Sequence, residues 1–250
     1  MDRTLRVTCL RGRTSDRTAG SGAGAQALAL TLGGRVVGEP GEPRARDWSE
    51  DLPAARPVLE AAAAELEAAF AEGALPVLTA SDCSICIATL PAAVAYEPDL
   101  HVVWLDAHGD FNTPETTPSG FLGGMCLAAA CGRWDAGWVG GGGVIDPTRV
   151  HLLGVRDLDP GEQVEAEAAG LSAEVPDGVP VYVHLDADVL DPSVMGAQFP
   201  VPGGWDERRL QAQLAELAAG CRIVGMEVTA IEDPAVAPLI AEAIQPLLRG

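Results

Sequence analysis

Short apolar runs alternate with longer stretches of helical periodicity along most of this chain. Runs rich in Val, Ile and Leu predict six β-strands, at residues 5–10, 76–79, 101–105, 149–155, 179–185 and 222–228. Segments rich in Ala, Leu and Glu predict helices at 52–72, 206–219 and 235–248. Because strands alternate with helices, we predict an α/β fold with three αβα layers around a central, mostly parallel sheet.

The length of the chain suits one large domain. Its 250 residues can enclose a substantial core, and the sequence shows neither an internal repeat nor a linker that would divide it. We therefore predict a single domain that spans residues 1–250. Two glycine-rich stretches, 11–24 and 137–143, are predicted loops, and the first is expected either to cover a site or to be disordered.

Charge and composition exclude several kinds of partner. A formal net charge of −20 disfavours nucleic acid and anionic membrane surfaces as partners. No apolar run reaches the roughly 20 residues that span a bilayer. The first residues resemble no secretory signal, so we expect a cytoplasmic location. All sixteen basic residues are arginine, which excludes chemistry that needs a lysine Schiff base or a P-loop lysine.

Two aspartate-rich stretches carry the strongest chemical signal. Residues 102–114 and 181–192 each begin as an apolar, β-branched run and end in closely spaced carboxylates. Since side chains two apart in a strand point the same way, alternation predicts that two sets converge: Asp106, His108 and Asp110, and His184, Asp186 and Asp188. Carboxylates this close repel each other unless a cation neutralises them. The pattern predicts a metal site that holds more than one divalent ion.

Six cysteines are spread over the sequence, and two of them, Cys83 and Cys86, form a CxxC pair. In a cytoplasmic protein of this size, cysteines are expected to be reduced and mostly buried. A zinc site would need a second well-spaced pair, and Cys126 with Cys131 is a poor one.

Six motifs, in order along roughly residues 76–230, resemble those of the arginase/agmatinase (ureohydrolase) family. They read DAHGDFNTP, TTPSGFLGG, GVRDLDPGE, HLDADVLDP, FPVPGGW and MEVTA. The resemblance implies an arginase-like catalytic domain with two Mn²⁺ per chain and a bridging hydroxide that attacks a guanidino carbon. Oxygen-rich ligand sets with few imidazoles suit Mn²⁺ better than zinc.

The resemblance assigns metal-binding roles to five residues of the two aspartate stretches. Asp106 and Asp186 would bridge the two ions. Asp110 would complete the shell of one ion, and His108 with Asp188 that of the other. Glu227 would pair with the cationic guanidinium, and catalytic roles are implied for Asp110 and Glu227.

Three further residues concern the substrate. Resemblance to arginases places Asn112 and Ser119 near the α-carboxylate of the substrate and Asp159 near its α-amino group. This favours a small guanidino amino acid as the partner. The alternative is that Asn112 and Ser119 only cap a loop.

The family pattern is broken at three positions. Cys83 stands where the first metal-binding His is expected, Gly123 replaces a second His, and His184 replaces the usual Ser. Cys83 is expected to bind metal as a thiolate, with a free thiol or a disulfide to Cys86 as alternatives. His184 is expected to support the ligands from behind rather than to bind metal.

These departures resemble a small branch of the family that hydrolyses Nω-hydroxy-L-arginine to ornithine and hydroxyurea in D-cycloserine biosynthesis, an antibiotic pathway. We therefore expect a manganese amidinohydrolase of this substrate. Alternatives are an ordinary arginase or another ureohydrolase, such as a guanidinobutyrase or a formimidoylglutamase. A catalytically impaired relative that serves as a ligand-binding or redox-regulated module is also open. Family members often form trimers or hexamers, so a homo-oligomer is open as well.

Overall fold

The computed structural model describes residues 3–137 and 143–249; of the predicted loop 137–143, residues 138–142 lie outside the described residues. Seven strands form one sheet: β1 (Leu5–Leu10), β2 (Arg35–Val37), β3 (Leu75–Thr79), β4 (His101–Leu105), β5 (Val150–Leu153), β6 (Pro180–Asp186) and β7 (Arg222–Thr229). Eight α-helices connect or follow them: α1 (Gly20–Thr31), α2 (Trp48–Ala71), α3 (Cys86–Tyr96), α4 (Cys126–Ala130), α5 (Pro160–Ala169), α6 (Glu207–Gly220), α7 (Ala237–Ala243) and α8 (Gln245–Leu248).

All neighbouring strands of the sheet are parallel, in the order β2-β1-β3-β7-β6-β4-β5. The carboxyl ends of β3, β7, β6 and β4 therefore lie side by side at one edge of the sheet. In parallel α/β sheets, ligands bind at this edge.

Apolar side chains cover both faces of the sheet. One buried cluster joins the sheet to α1, α6, α7 and α8, with Leu28, Leu214 and Ile240 among its members. The other joins it to α2, α3, α4 and α5, for example through Leu66 and Leu90. The predicted three-layer αβα architecture is thus confirmed. Strands buried on both faces read as continuous apolar runs, which is why their positions could be predicted.

The six predicted strands all exist, with ends shifted by at most two residues. The short edge strand β2 was not predicted, because three residues give too little periodicity. The predicted helix at 235–248 is divided, with α7 ending at Ala243 and α8 beginning at Gln245. The predicted loop 11–24 is shorter than expected, since α1 begins at Gly20.

Candidate metal centre

Two carboxylates lie at the carboxyl ends of adjacent strands: Asp106 follows β4, and Asp186 is the last residue of β6. In the register of β4 and β6, Leu105 pairs with Leu185, so Asp106 and Asp186 come next on neighbouring strands. The expectation that strand alternation aligns residues 106 to 110 is wrong, because β4 ends at Leu105. Those residues converge through a loop instead, in which Asp110 has a φ of 50°. A non-glycine residue in this left-handed region is uncommon and is retained where a site needs it.

Asp106, His108 and Asp188 form a tight group of metal-ligand atoms. His108 Nδ1 lies 3.3 Å from Asp106 Oδ1 and 3.2 Å from Asp188 Oδ2. One ligand atom from each of the three residues lies within 4.8 Å of the others, and the same holds for Cys83, Asp106 and His184. Asp106 belongs to both groups, as a bridging ligand would.

Cys83 lies beside Asp186 in the floor of the site. Its Sγ donates to Asp186 Oδ2 at 2.7 Å and is 3.1 Å from Thr229 Oγ1. The other oxygen of Asp186 accepts a hydrogen bond from the backbone N–H of Asp188 at 2.7 Å. Both Cys83 and Cys86 are free thiols in the structure, so the alternative of a disulfide between them has no structural support.

The electrostatics of the buried carboxylates favour a cation between them. Burial and then the charge of Asp188 raise the pKa of Asp106 to about 6. Burial, followed by the neighbouring aspartates, also raises the pKa of Asp186 and of Asp110. Burial opposes the charge on His108, but its hydrogen bonds to Asp106 and Asp188 prevail and raise its pKa to about 12. Negative groups packed this closely need positive charge to remain ionised.

One buried atom points directly to a missing partner. Among the described residues, Asp106 Oδ2 is buried and has no hydrogen-bond partner. A buried carboxylate oxygen without a partner is costly, and a metal ion satisfies it. The donor set of carboxylates, one imidazole and one thiol therefore fits divalent cations.

Glu227 and His184 form a buried pair beneath this cluster. His184 Nδ1 lies 2.7 Å from Glu227 Oε1, and the His184 ring stacks on Trp104 with ring centroids 3.5 Å apart. Glu227 Oε2 accepts hydrogen bonds from Thr89 at 2.6 Å and Tyr182 at 3.1 Å. His184 lies within reach of Cys83 and Asp106, and its expected role as a support for the ligands stays a prediction.

Glu227 itself is 0% exposed and does not line the cavity described below. Both of its oxygens are used within the protein. The pairing of Glu227 with a substrate guanidinium, which the family resemblance implies, therefore stays a prediction. On β7, Glu227 and Thr229 point the same way, and Thr229 Oγ1 lies 3.1 Å from Cys83 Sγ.

The cluster forms the floor of a cavity of about 240 Å³. Apart from Glu227 and His184, every residue that the sequence assigned to the site lines this cavity. Asn112 Nδ2 donates to Asp159 Oδ2 at 3.0 Å, whereas Ser119 lies at the exposed rim, where its Oγ accepts from the backbone N–H of Phe121. Asn112 Oδ1 is buried without a partner among the described residues, which leaves an acceptor for a ligand.

Several cavity residues escaped the sequence analysis: Asp16, Asp82, Glu162, Gln198, Phe199 and Glu232. For Glu162 a signal was present, since Asp159 followed three residues later by Glu forms the capping box of α5. Burial raises the pKa of Glu162 to about 7 even though its carboxylate accepts from the backbone N–H of Phe111 and Asp159. Phe199 begins the FPVPGGW motif, whereas Asp16, Asp82, Gln198 and Glu232 lie outside the six motifs.

Gly123, where the family pattern has a His, is buried at the edge of the cavity. A Cβ added there would lie 2.4 Å from the ring of Phe121 and 3.2 Å from Asp82 Oδ2. A larger residue would therefore require Phe121 to move. The ring of Phe121 occupies the space next to Gly123 where the family pattern has an imidazole.

Known proteins match both the sequence and the fold. The sequence profile of the arginase family matches residues 44–174 and 168–238. The chain belongs to the arginase family. It is 36% identical to N(omega)-hydroxy-L-arginine amidinohydrolase from Streptomyces lavendulae, over 95% of this chain and 92% of that protein. It is 34% identical to arginase from Bacillus caldovelox, over 82% of this chain and 74% of that protein.

The fold of this arginase-family chain agrees with solved structures. Arginase from Bacillus caldovelox superposes with a TM-score of 0.82 at 27% identity, covering 99% of this chain and 98% of that one. The family resemblance seen in the six motifs is thereby confirmed. None of the helices in the described part of the chain is sufficiently long and apolar to cross a bilayer.

Proposed function

We propose that this arginase-family protein hydrolyses the guanidino C–N bond of Nω-hydroxy-L-arginine. Water and the substrate would give L-ornithine and hydroxyurea. The catalytic domain would span residues 1–250 and bind two Mn²⁺.

The observation that carries this proposal is one cavity with two distinct ends. Its floor holds the carboxylate cluster with the buried, unpartnered Asp106 Oδ2, and its wall holds Asn112 hydrogen-bonded to Asp159. A ligand that reaches from one end to the other needs a group for the cluster and polar groups for the wall. A guanidino amino acid has both.

Cys83 and five residues of the two aspartate stretches would hold the metal: Asp106, His108, Asp110, Asp186 and Asp188. Two divalent ions would supply a water of lowered pKa and would orient it toward the guanidino carbon. Other side chains of the protein would bind and orient the substrate.

Asn112 and Asp159 would fix the amino-acid end of the substrate. Asp159 is an acceptor for an α-ammonium group, and the Asn112 amide can meet an α-carboxylate without adding charge. Ser119 would contribute a neutral hydroxyl group at the rim of the cavity. Ten of the 22 residues that line the cavity are Asp or Glu, which favours a cationic ligand and disfavours an anionic one.

The choice of the hydroxylated substrate rests on two supports. One is the 36% identity to the Streptomyces lavendulae enzyme over almost the whole chain. The other is the set of departures at Cys83, Gly123 and His184. A thiolate adds negative charge to the cluster and makes it a weaker Lewis acid, which suits a guanidine made less basic by N-hydroxylation. The hydroxyl of the substrate could also replace part of the proton transfer that an imidazole at position 123 would provide.

Steady-state assays on purified, Mn²⁺-loaded protein test the proposal. We expect ornithine to be released faster from Nω-hydroxy-L-arginine than from L-arginine, and Asp106→Asn to abolish release from both. Faster release from L-arginine would contradict the substrate assignment and favour an ordinary arginase, in keeping with the 34% identity to the Bacillus caldovelox enzyme. Absence of turnover together with absence of bound metal would instead support a ligand-binding module.

A further inference from the structure

His184 is the middle member of a row of three residues on adjacent strands. In the register of the sheet, His184 on β6 pairs with Trp104 on β4 and with Glu227 on β7. Its imidazole stacks on the Trp104 ring, and its Nδ1 lies 2.7 Å from Glu227 Oε1. All three residues are 0% exposed. The His184 ring is therefore held in one orientation by both neighbouring strands.

Glu227 determines which ring nitrogen of His184 carries the proton. Its Oε2 accepts from the hydroxyl groups of Thr89 and Tyr182, so Oε1 is the oxygen that meets His184. Because a carboxylate oxygen accepts, we assign the proton to Nδ1, and the lone pair of the neutral ring then lies on Nε2. A carboxylate behind an imidazole is the arrangement that orients histidine ligands in metalloproteins.

The Nε2 atom of His184 lies on the Cys83 side of the ring. Thr229 is its one hydrogen-bond partner in the part of the chain that the structure describes, with Oγ1 at 3.5 Å, longer than an ordinary hydrogen bond. The same Oγ1 is 3.1 Å from Cys83 Sγ, and one hydroxyl proton cannot serve both atoms. A buried lone pair so poorly satisfied is costly, and a cation would satisfy it.

Other ligand atoms gather at the same place. One ligand atom each from His184, Cys83 and Asp106 lie within 4.8 Å of one another. Asp106 Oδ1 accepts from the backbone N–H of His108, whereas its Oδ2 is buried with no hydrogen-bond partner among the described residues. Asp186, two residues after His184 on β6, has its Oδ2 2.7 Å from Cys83 Sγ. An imidazole, a thiol and carboxylates therefore lie together in the floor of the site.

We infer that His184 binds the metal ion beside Cys83 through Nε2, and that Glu227 is the residue that positions this ligand. The inference rests on the metal centre of the proposed function, in which the family resemblance gave His184 only a supporting role. It assigns the lone pair of Nε2 and the free oxygen of Asp106 to the same kind of partner.

This ligand set divides the metal centre into two unlike positions. Sulfur and imidazole suit Co²⁺, Fe²⁺ or Zn²⁺, whereas carboxylates suit Mn²⁺. The position beside Cys83 and His184 should therefore prefer a softer ion than the oxygen-richer position at Asp106, His108 and Asp188. Mn²⁺ supplied as the sole metal would fill both positions, with the one beside Cys83 filled less tightly.

Cobalt substitution reports the position beside Cys83 separately from the other. A thiolate bound to Co²⁺ gives a sulfur-to-metal charge-transfer band in the near ultraviolet, and we expect this band when the apoprotein is titrated with Co²⁺. His184→Gln should weaken the Co²⁺ binding that the band reports by about 100-fold or more. Displacement of the band by Mn²⁺ measures the competing affinity, which should fall by a smaller factor. Equal factors for the two ions would overturn the metal preference.

The proton on Nδ1 of His184 gives a second readout that needs no variant. Paramagnetic Co²⁺ shifts the proton resonances of a bound imidazole far outside their usual range. Co²⁺-loaded wild-type protein should show one shifted N–H resonance that exchanges slowly with solvent, because Nδ1 is buried against Glu227. The ring of His108 is partly exposed, so its N–H should exchange faster. This measurement decides the question even where His184→Gln does not fold.

Two further variants separate positioning from folding. Glu227→Gln replaces an acceptor by an amide that can donate to Nδ1, which moves the ring proton to Nε2. Co²⁺ affinity should then fall by about 10- to 100-fold, with the sulfur band still present at saturation. His101→Gln alters a histidine outside the cavity and should keep the wild-type Co²⁺ affinity.

The remaining outcomes contradict either the ligand assignment or the proposed function. A sulfur band without the slowly exchanging resonance, or unchanged Co²⁺ affinity in His184→Gln, would show that His184 is not a ligand and would leave the proposed function intact. Two bound Co²⁺ per chain without a sulfur band would place Cys83 outside the centre and overturn the assignment. Wild-type protein that binds neither Co²⁺ nor Mn²⁺ would contradict the proposed function itself.

Discussion

Cys83 contributes a sulfur atom to a site whose other candidate metal ligands are oxygen and nitrogen atoms. It is buried, and burial followed by the charges of Asp186, Asp110 and Asp106 raises its pKa well above the usual thiol range. A cation at the cluster would reverse this balance by stabilising the thiolate. Sulfur nevertheless suits Mn²⁺ poorly, so one ion of the pair should be held less tightly than a histidine would hold it.

Cys83→His should therefore tighten Mn²⁺ binding and raise any activity on L-arginine. A neutral imidazole removes one negative charge from the cluster and makes the ions stronger Lewis acids. Metal titration of the apoprotein and steady-state ornithine assays measure the two effects. Cys86→Ala is the matched control, since Cys86 is buried outside the cavity and should leave Mn²⁺ affinity unchanged. The same affinity in Cys83→His as in wild type would mean that Cys83 is not a ligand.

At the scale of elements, the strands were predictable, whereas the backbone course of the loops that complete the site was not. The apolar runs of β4 and β6 lead into their aspartates, so the convergence of Asp106 and Asp186 followed from parallel topology alone. Topology alone did not predict that Glu232 lines the cavity and Glu227 does not. Which acid faces the cavity depends on the left-handed turn at Ala230 and on its packing against α1, and a single sequence reveals neither.

A pair of histidines on β4 and β5 predicts how stability changes with pH. His101 Nδ1 and His151 Nε2 are 2.9 Å apart, on strands that are paired in the sheet. Burial, then the charge of His101, lowers the pKa of His151 to about 4. Between pH 6.5 and about 4 the unfolded chain therefore binds a proton at His151 that the folded chain does not. In this window the free energy of unfolding should fall as the pH falls.

We expect this effect to be about 2 kcal/mol. Urea unfolding at pH 7 and at pH 4.5, in chelator to remove metal linkage, measures it for wild type and for His151→Gln. The glutamine variant should lose most of the His151 contribution, whereas His101→Gln should keep the part that comes from burial. An identical pH dependence in wild type and His151→Gln would contradict the prediction.

For the whole molecule, the fold brings mutually repelling carboxylates together at the carboxyl edge of the sheet. The net charge of the chain is −20. Helices cover both faces of the sheet, and the carboxylates that converge at its carboxyl edge are therefore buried together. Their ionised forms oppose folding unless cations are bound. Metal binding should therefore be linked to the stability of the entire chain, and not only to catalysis.

Mn²⁺ should raise the midpoint of thermal unfolding and bind at two ions per chain. At a free concentration 100 times the Kd, each ion adds about 2.7 kcal/mol. For a chain of this size, that corresponds to a rise of roughly 5–10 °C per ion. Differential scanning calorimetry with and without Mn²⁺, together with elemental analysis, measures both quantities. Asp106→Asn should abolish most of the rise, because Asp106 belongs to both ligand groups, while Asp99→Asn, an exposed control, should retain it. A midpoint unaffected by Mn²⁺ in the wild-type protein would mean that the buried carboxylates are neutralised by protons rather than by metal.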